Sequence, residues 1–158
     1  MSTRTQEIDT IGDVLEAVTV DRFFKQDFPQ TYTPNTIGIR WQSDGSNGLA
    51  GGHYVIENTY QIVYFGNSER DCLEKSELIS EIFNDKIDMK IKIRNIDAYL
   101  TLKTFTSSIP FKTDTDGVYA VSMILTVESN RFRKISEGPL LGNVTTTLNG
   151  ENITEGDN

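Results

Sequence analysis

Cysteine, histidine and tryptophan are scarce in this sequence, because its 158 residues include only one of each. The single cysteine, Cys72, excludes a disulfide within the chain and is typical of proteins in a reducing compartment. The single histidine, His53, has no stretch of the form GxSxG elsewhere in the chain to supply a serine nucleophile. These shortages exclude a disulfide-stapled fold and argue against a hydrolytic triad.

Positive charge and long apolar runs are also in short supply. Fifteen Lys and Arg face 23 Asp and Glu, which gives a net charge of −8, so we expect the molecule to repel nucleic acid and anionic membranes. The longest apolar-rich run, residues 118–127, is about half a membrane span. The first residues, MSTRTQEIDT, lack the apolar core of a signal peptide. The sequence therefore predicts a soluble intracellular protein without a membrane partner.

The first third of the chain predicts a helix followed by a hairpin. Apolar residues recur at three- and four-residue spacing from Ile8, a cap is available at Thr5 or Thr10, and we expect the helix to continue until Pro29. The stretches TIGIRW and HYVIENTYQIVYFG then predict two strands. Between them lies the glycine-rich stretch from Ser43 to Gly52, which we expect to form a long, mobile loop.

The remainder predicts a second helix and at least two more strands. The stretch SERDCLEKSELISEIFN has a cap at Asn67 or Ser68 and an apolar stripe, KIDMKIKIR alternates strictly, and VYAVSMILTVES is apolar on both faces, which places it in mid-sheet. The predicted fold class is α+β, with an antiparallel or mixed sheet of about four strands packed against two helices. Residues 1–135 form a single domain, and residues 136–158, with four acids and no Lys or Arg, form an extended or disordered acidic tail.

Candidate chemistry in the sequence is weak. Gly52 is followed by His53 and Tyr54, whereas a Walker loop needs Lys and Ser or Thr there and a dinucleotide loop must open a helix. Cys72 lies near a helix start, where the dipole can lower its pKa, but a buried, inert thiol is the commoner outcome. The DTDG stretch at 114–117 lacks the later ligands of a calcium loop and fits a hairpin turn. We therefore predict no catalytic, cofactor-binding or metal-binding residue.

Basic residues cluster in only two places. One cluster, Lys90, Lys92 and Arg94, lies on one face of the strand predicted from the alternating stretch, and the other, Arg131, Arg133 and Lys134, follows the last predicted strand. Each cluster fits either a solvated surface or a docking surface for acidic neighbours.

The order of elements resembles that of the tail terminator, or tail completion, proteins of long-tailed bacteriophages. The resemblance covers residues 8–133 and rests on hydrophobic patterns, chiefly the strand ENTYQIVYFG, the capped helix after it, IKIRNI and GVYAVSMILTVE. The glycine-rich loop and the tail after Ser136 are longer than the family's core needs. The resemblance implies a hexameric ring that caps the tail-tube protein, stops tube growth and offers a surface to the head–tail connector proteins.

On this interpretation the chain is a structural protein of the virion, assembled in the host cytoplasm, and DNA passes through its ring without specific binding. Another head–tail connector or a tail-tube-associated protein is an alternative of the same class. A small cytoplasmic enzyme or ligand-binding module, built on the loop from Gly48 to Gly52 and on His53, is an alternative of a different class. The second face of the last strand needs a cover, which either neighbouring subunits or a helix of the same chain could supply.

Overall fold

A computed structural model describes residues 3–49, 51–132, 147–148 and 151–152. Two helices and nine strands are formed by these residues. In chain order the elements are α1 (Arg4–Leu15), β1 (Arg22–Lys25), β2 (Thr36–Gly48), β3 (His53–Gly66), α2 (Glu69–Asn84), β4 (Lys90–Lys92), β5 (Tyr99–Ser107), β6 (Phe111–Lys112), β7 (Tyr119–Phe132), β8 (Thr147–Leu148) and β9 (Glu151–Asn152).

A single seven-stranded sheet organises the molecule. Its order is β1-β2-β3-β7-β5-β4, and β6 pairs with the beginning of β7. The sheet is mixed, because β1 runs parallel to β2 while all other pairs are antiparallel. The α+β class is confirmed, but the prediction of about four strands was too low. Two strands that were not predicted, β1 and β6, have four residues or fewer, too short for hydrophobic periodicity to detect.

Both helices pack on one face of this sheet and bury the main core. Thr3 and Gln6 form a capping box at the start of α1, and Ser68 caps α2 as predicted. The predicted stripe of α2 holds for Ile79 and Phe83, which are fully buried, whereas Leu78 is 40% exposed. The core face also takes the inward residues of the central strands, among them Ile37, Ile39, Tyr60, Ile62, Val121, Met123, Leu125 and Val127.

The first helix is shorter than predicted. It ends at Leu15, and the residues expected to continue it to Pro29 instead form β1, beside β2. Val18, Thr19 and Val20 follow the helix, and these β-branched side chains disfavour another helical turn. The two aromatic residues of β1 lie in the pleated sheet surface, where such side chains pack well.

The glycine-rich stretch is a strand rather than a long loop. β2 continues to Gly48 and pairs with β3 as far as Tyr54, with one irregularity between Trp41 and Ser43. The connection is a tight turn closed by a hydrogen bond from the Leu49 N–H to the His53 carbonyl at 3.0 Å. Gly51 and Gly52 have φ of 80° and 77° there, which a residue with a Cβ rarely adopts. The hairpin is confirmed, and the length of its loop was wrong.

The alternating stretch near residue 90 is mostly not strand. Only Lys90–Lys92 pairs with β5, and Met89, an apolar residue of the alternating stretch, is 54% exposed. Asp88 and Asn95 have φ of 65° and 64°, and these positive values end the extended conformation on both sides of β4.

The last long strand, β7, lies in mid-sheet between β3 and β5, as predicted. Its second face, however, is not apolar throughout, since Ser122, Thr126 and Glu128 alternate with Ala120 and Ile124. Among the described residues, Phe28 and Tyr32 of the irregular segment before β2 cover the end of this face near Ala120. The predicted cover by a neighbouring subunit or a folded-back helix over the rest of this face stays a prediction.

Candidate functional site

His53 and Cys72, the two candidate catalytic residues, lie at opposite ends of β3. The His53 ring packs against the Phe132 ring at a centroid distance of 4.4 Å, at the tip of the sheet. Cys72, near the start of α2, is fully buried, and loss of solvent together with the nearby Asp71 charge raises the pKa of its thiol to about 11. The inert alternative for Cys72 is thus the one that the structure supports. The described residues contain no group of three or more His, Cys, Asp or Glu placed to hold a metal ion.

A buried polar cluster, which the sequence did not reveal, lies under the beginning of α1. The Glu7 carboxylate is completely buried and accepts hydrogen bonds from the Tyr60 hydroxyl at 2.6 Å and the Asn58 amide at 2.8 Å. The Arg131 guanidinium lies 3.4 Å from the other oxygen of this carboxylate, and the Trp41 indole N–H donates to Asn58 at 3.3 Å. We call these five residues the Glu7 cluster.

The Glu7 cluster suits anchoring better than catalysis. Burial, together with the hydrogen bond to Glu7 and its charge, raises the pKa of Tyr60 far above its ordinary value of 10.0, so the phenol stays a proton donor. Glu7 also lies in the first turn of α1, where the helix dipole stabilises a negative charge. With no exposed surface on the carboxylate, a substrate has no approach to it. The cluster fixes α1 to β3 and β7.

The six basic residues predicted as a docking surface occupy different environments. Lys90 and Lys92 are exposed on β4, and Lys92 has only a long contact of 3.8 Å to Asp97. Arg94 instead makes two hydrogen bonds to Asp13 of α1, at 2.5 and 3.1 Å, and Arg131 belongs to the Glu7 cluster. Arg133 and Lys134 lie outside the described residues, as does most of the predicted tail 136–158. Arg94 is exposed too, but among the described members of this set Lys90 and Lys92 are the exposed cations without a close ion pair.

Two edges of the sheet are open among the described residues. β1 covers β2 only from Thr36 to Ile39, and the Gln26 side chain accepts from the Trp41 N–H at 3.1 Å where β1 ends. The outer half of β2, residues 42–48, has no neighbouring strand on that side. At the opposite side of the sheet, β4 has a partner only in β5. We call these surfaces the β2 edge and the β4 edge.

A groove of about 480 Å³ adjoins the β4 edge, between the two helices. Val14, Ala17, Ile82 and Ile91 supply its apolar lining, with charged side chains at its rim. An apolar groove rimmed by charge beside an open strand is the kind of surface that binds another protein.

A scan against models of known protein families finds no match to the chain, and a search of curated proteins finds no similar sequence. Neither helix among the described residues is long and apolar enough to cross a membrane.

Proposed function

We propose that this protein is a tail terminator of a long-tailed bacteriophage, a ring-forming structural protein that caps the tail tube and provides the surface on which the head docks. It acts through assembly and not through catalysis. Its partners on this proposal are further copies of the same chain, the tail-tube protein and the head–tail connector proteins, and its location is the head-proximal end of the tail.

The observation that carries the proposal is the pair of unlike open edges on one sheet. A closed ring needs a heterologous contact, in which one surface of a subunit meets a different surface of the next. The β2 edge is long and carries no exposed cation from residue 42 to residue 48, whereas the β4 edge is short and bears Lys90 and Lys92. Native monomers usually protect open edges, because an exposed row of N–H and C=O groups pairs with other chains.

Net charge supports the second part of the proposal. A ring of subunits that each carry −8 presents few cations to phosphates, and phosphate neutralisation supplies most non-specific DNA affinity. DNA would therefore move through the central hole without being held.

The proposal is tested with purified protein alone and with tail tubes. We expect sedimentation to detect a closed oligomer, hexameric by the family resemblance, and negative-stain images to show a ring at one end of each tube. Tubes assembled in its presence should stop growing at a defined length. A wild-type chain that stays monomeric, both alone and with tubes present, would overturn the proposal.

A small enzyme built on the glycine stretch has less support. Gly51 and Gly52 lie in the turn between β2 and β3, and Gly52 has no heavy atom within 4 Å of the position where a Cβ would lie. That is open space rather than a shaped pocket.

A further inference from the structure

A continuous row of residues crosses the outer face of the sheet, opposite the helices, from the β4 edge to the β2 edge. The strand register places Lys90 beside Thr101, Thr101 beside Glu128, Glu128 beside Glu57, and Glu57 beside Gly45. The row therefore begins with a cation at the β4 edge and ends with two acids and a glycine at the β2 edge.

The acidic end of this row is electrostatically unbalanced. Glu57 and Glu128 lie directly opposite each other on neighbouring strands, an arrangement that repels. Lys103 approaches Glu128 at 3.5 Å, but no ion pair to the exposed Glu57 is formed by the described residues. Gly45 has no side chain, and a Cβ built there meets no atom within 4 Å. Glu57 is thus accessible from the β2 edge.

The directions of the edge strands match the requirements of a ring. Four antiparallel steps separate β2 from β4, so the two strands run the same way. Rotation about an axis along the strands keeps that direction, and β4 of one copy would meet β2 of the next in parallel.

The backbone hydrogen bonds of both edges fit parallel pairing as well. The hydrogen bond from the Ile93 N–H to the Ala98 carbonyl means that the backbone N–H and C=O groups of Ile91 and Ile93 point toward β5. The backbone groups of Lys90 and Lys92 therefore point outward, away from the sheet. By the same alternation along β2, the hydrogen bond between Leu49 and His53 means that the backbone N–H and C=O groups of Gly45 point toward β3. In a parallel pair, a residue whose backbone N–H and C=O face the other strand bonds to the two neighbours of the residue opposite it, whose own backbone groups face away. Lys90, with its backbone groups facing outward, can therefore lie opposite Gly45, with its backbone groups facing β3, and both residues then share one face of the sheet.

We propose that β4 of a second copy adds in parallel to the outer half of β2, with Lys90 of that copy beside Gly45 and its ammonium group paired with Glu57. This inference rests on the proposed ring. Two strand spacings, about 10 Å, separate the main chains of Lys90 and Glu57 in this arrangement, a distance that an extended lysine and glutamate can bridge. The partner's charge relieves the repulsion between Glu57 and Glu128.

Engineered cysteines test the contact directly, since Cys72 is fully buried and does not compete. Continuing the register places Lys92 of one copy beside Asn47 of the next, and both side chains are exposed. A mixture of Asn47→Cys and Lys92→Cys subunits, treated with a short bifunctional maleimide, should give mixed dimers, while each variant alone should not. Carrying both substitutions in one chain should give a ladder that ends at the subunit number of the ring.

The matched control replaces Lys92→Cys with Lys112→Cys, which is exposed on β6 at the other end of β7. Crosslinks that form equally well with Lys112→Cys would overturn the inference, as would rings that form normally and yield no Asn47–Lys92 product. The latter result would leave the proposed function intact, because the subunits would still assemble.

Charge reversal gives a second, independent readout. Lys90→Glu alone and Glu57→Lys alone should each raise the concentration needed for assembly by about tenfold or more, with unchanged circular dichroism. Combining the two substitutions should restore most of the lost assembly. A double variant no better than the single ones would contradict the pairing of these two residues.

Discussion

At the scale of single residues, the fully buried carboxylate of Glu7 is the most consequential charge in the described chain. We predict that Glu7→Ala lowers the free energy of unfolding by about 3 kcal/mol, because it leaves the mostly buried Arg131 guanidinium without its partner. Urea unfolding, followed by the fluorescence of the single tryptophan, measures this change. Wild-type stability in Glu7→Ala would contradict an anchoring role.

Two tyrosines on the same strand provide the matched comparison. Tyr60→Phe removes a hydrogen bond to a buried carboxylate and should cost about 2 kcal/mol. Tyr54 is only partly buried and makes no side-chain hydrogen bond within the described residues. Tyr54→Phe should therefore leave the unfolding free energy nearly unchanged.

Stability should fall at high pH because of three buried protonated groups. Burial raises the pKa of Cys72 from 9.0 to about 11, and it raises the pKa of Tyr60 and Tyr64 well above 10.0. The unfolded chain then releases protons that the folded chain keeps, so stability is complete below pH 9 and declines above it, by up to about 1.4 kcal/mol per pH unit for each group. Urea titrations at pH 8 and pH 10.5 measure the decline, and equal stability at both values would contradict it.

Little at this scale could be predicted from the sequence. Glu7 and Arg131 are separated by 124 residues, and an acid in the first turn of a helix is ordinarily a solvated residue. Their meeting depends on how α1 lies across the sheet, which local patterns do not encode. The helix caps depend on neighbouring residues alone, and the cap of α2 was accordingly predicted. The cap of α1 was expected at Thr5 or Thr10, which was wrong, since Thr3 caps this helix.

At the scale of elements, the irregular segment before β2 covers the outer face through Phe28. A Cβ placed at Gly38 would lie 2.4 Å from the Phe28 ring. We predict that Gly38→Ala displaces this ring and lowers the unfolding free energy by about 1–3 kcal/mol. Thermal melting measures the loss.

Gly45→Ala is the control on the same strand, because the added methyl group meets no neighbour. Its melting temperature should stay close to that of the wild type. Equal melting of the Gly38→Ala variant and the Gly45→Ala variant would show that the Phe28 contact contributes nothing.

Whether an element could be predicted from the sequence depended on the length of its hydrophobic pattern. α2 and the long strands β3 and β7 carry enough periodic residues to be predicted. β1 was mistaken for helix, because the apolar spacing of α1 continues past Leu15 and nothing in the local sequence specifies a parallel partner. Residues 43–48 have loop composition, and only their pairing with β3 makes them a strand.

At the scale of the whole molecule, charge reversal should have different effects on Lys90 and Lys92 than on Arg94, which pairs with Asp13. We predict that Lys90→Glu with Lys92→Glu weakens assembly and leaves monomer melting unchanged, since exposed charges add little to stability. Arg94→Glu should lower the melting temperature, because it replaces the contact with Asp13 by repulsion. Sedimentation and thermal melting of the two variants measure both effects.

Equal melting of the two variants would contradict this division. Unchanged ring formation and tube capping with both lysines reversed would exclude the β4 edge from assembly.

The position of β7 has a consequence for biosynthesis. This strand joins the two halves of the sheet, yet it is the last long strand of the described residues to leave the ribosome. Until then β3 has a bonded neighbour only in β2, and β5 only in β4. In the nascent chain the β2–β3 and β4–β5 pairs therefore share no backbone hydrogen bonds, and the sheet becomes continuous only after residue 132 has been translated.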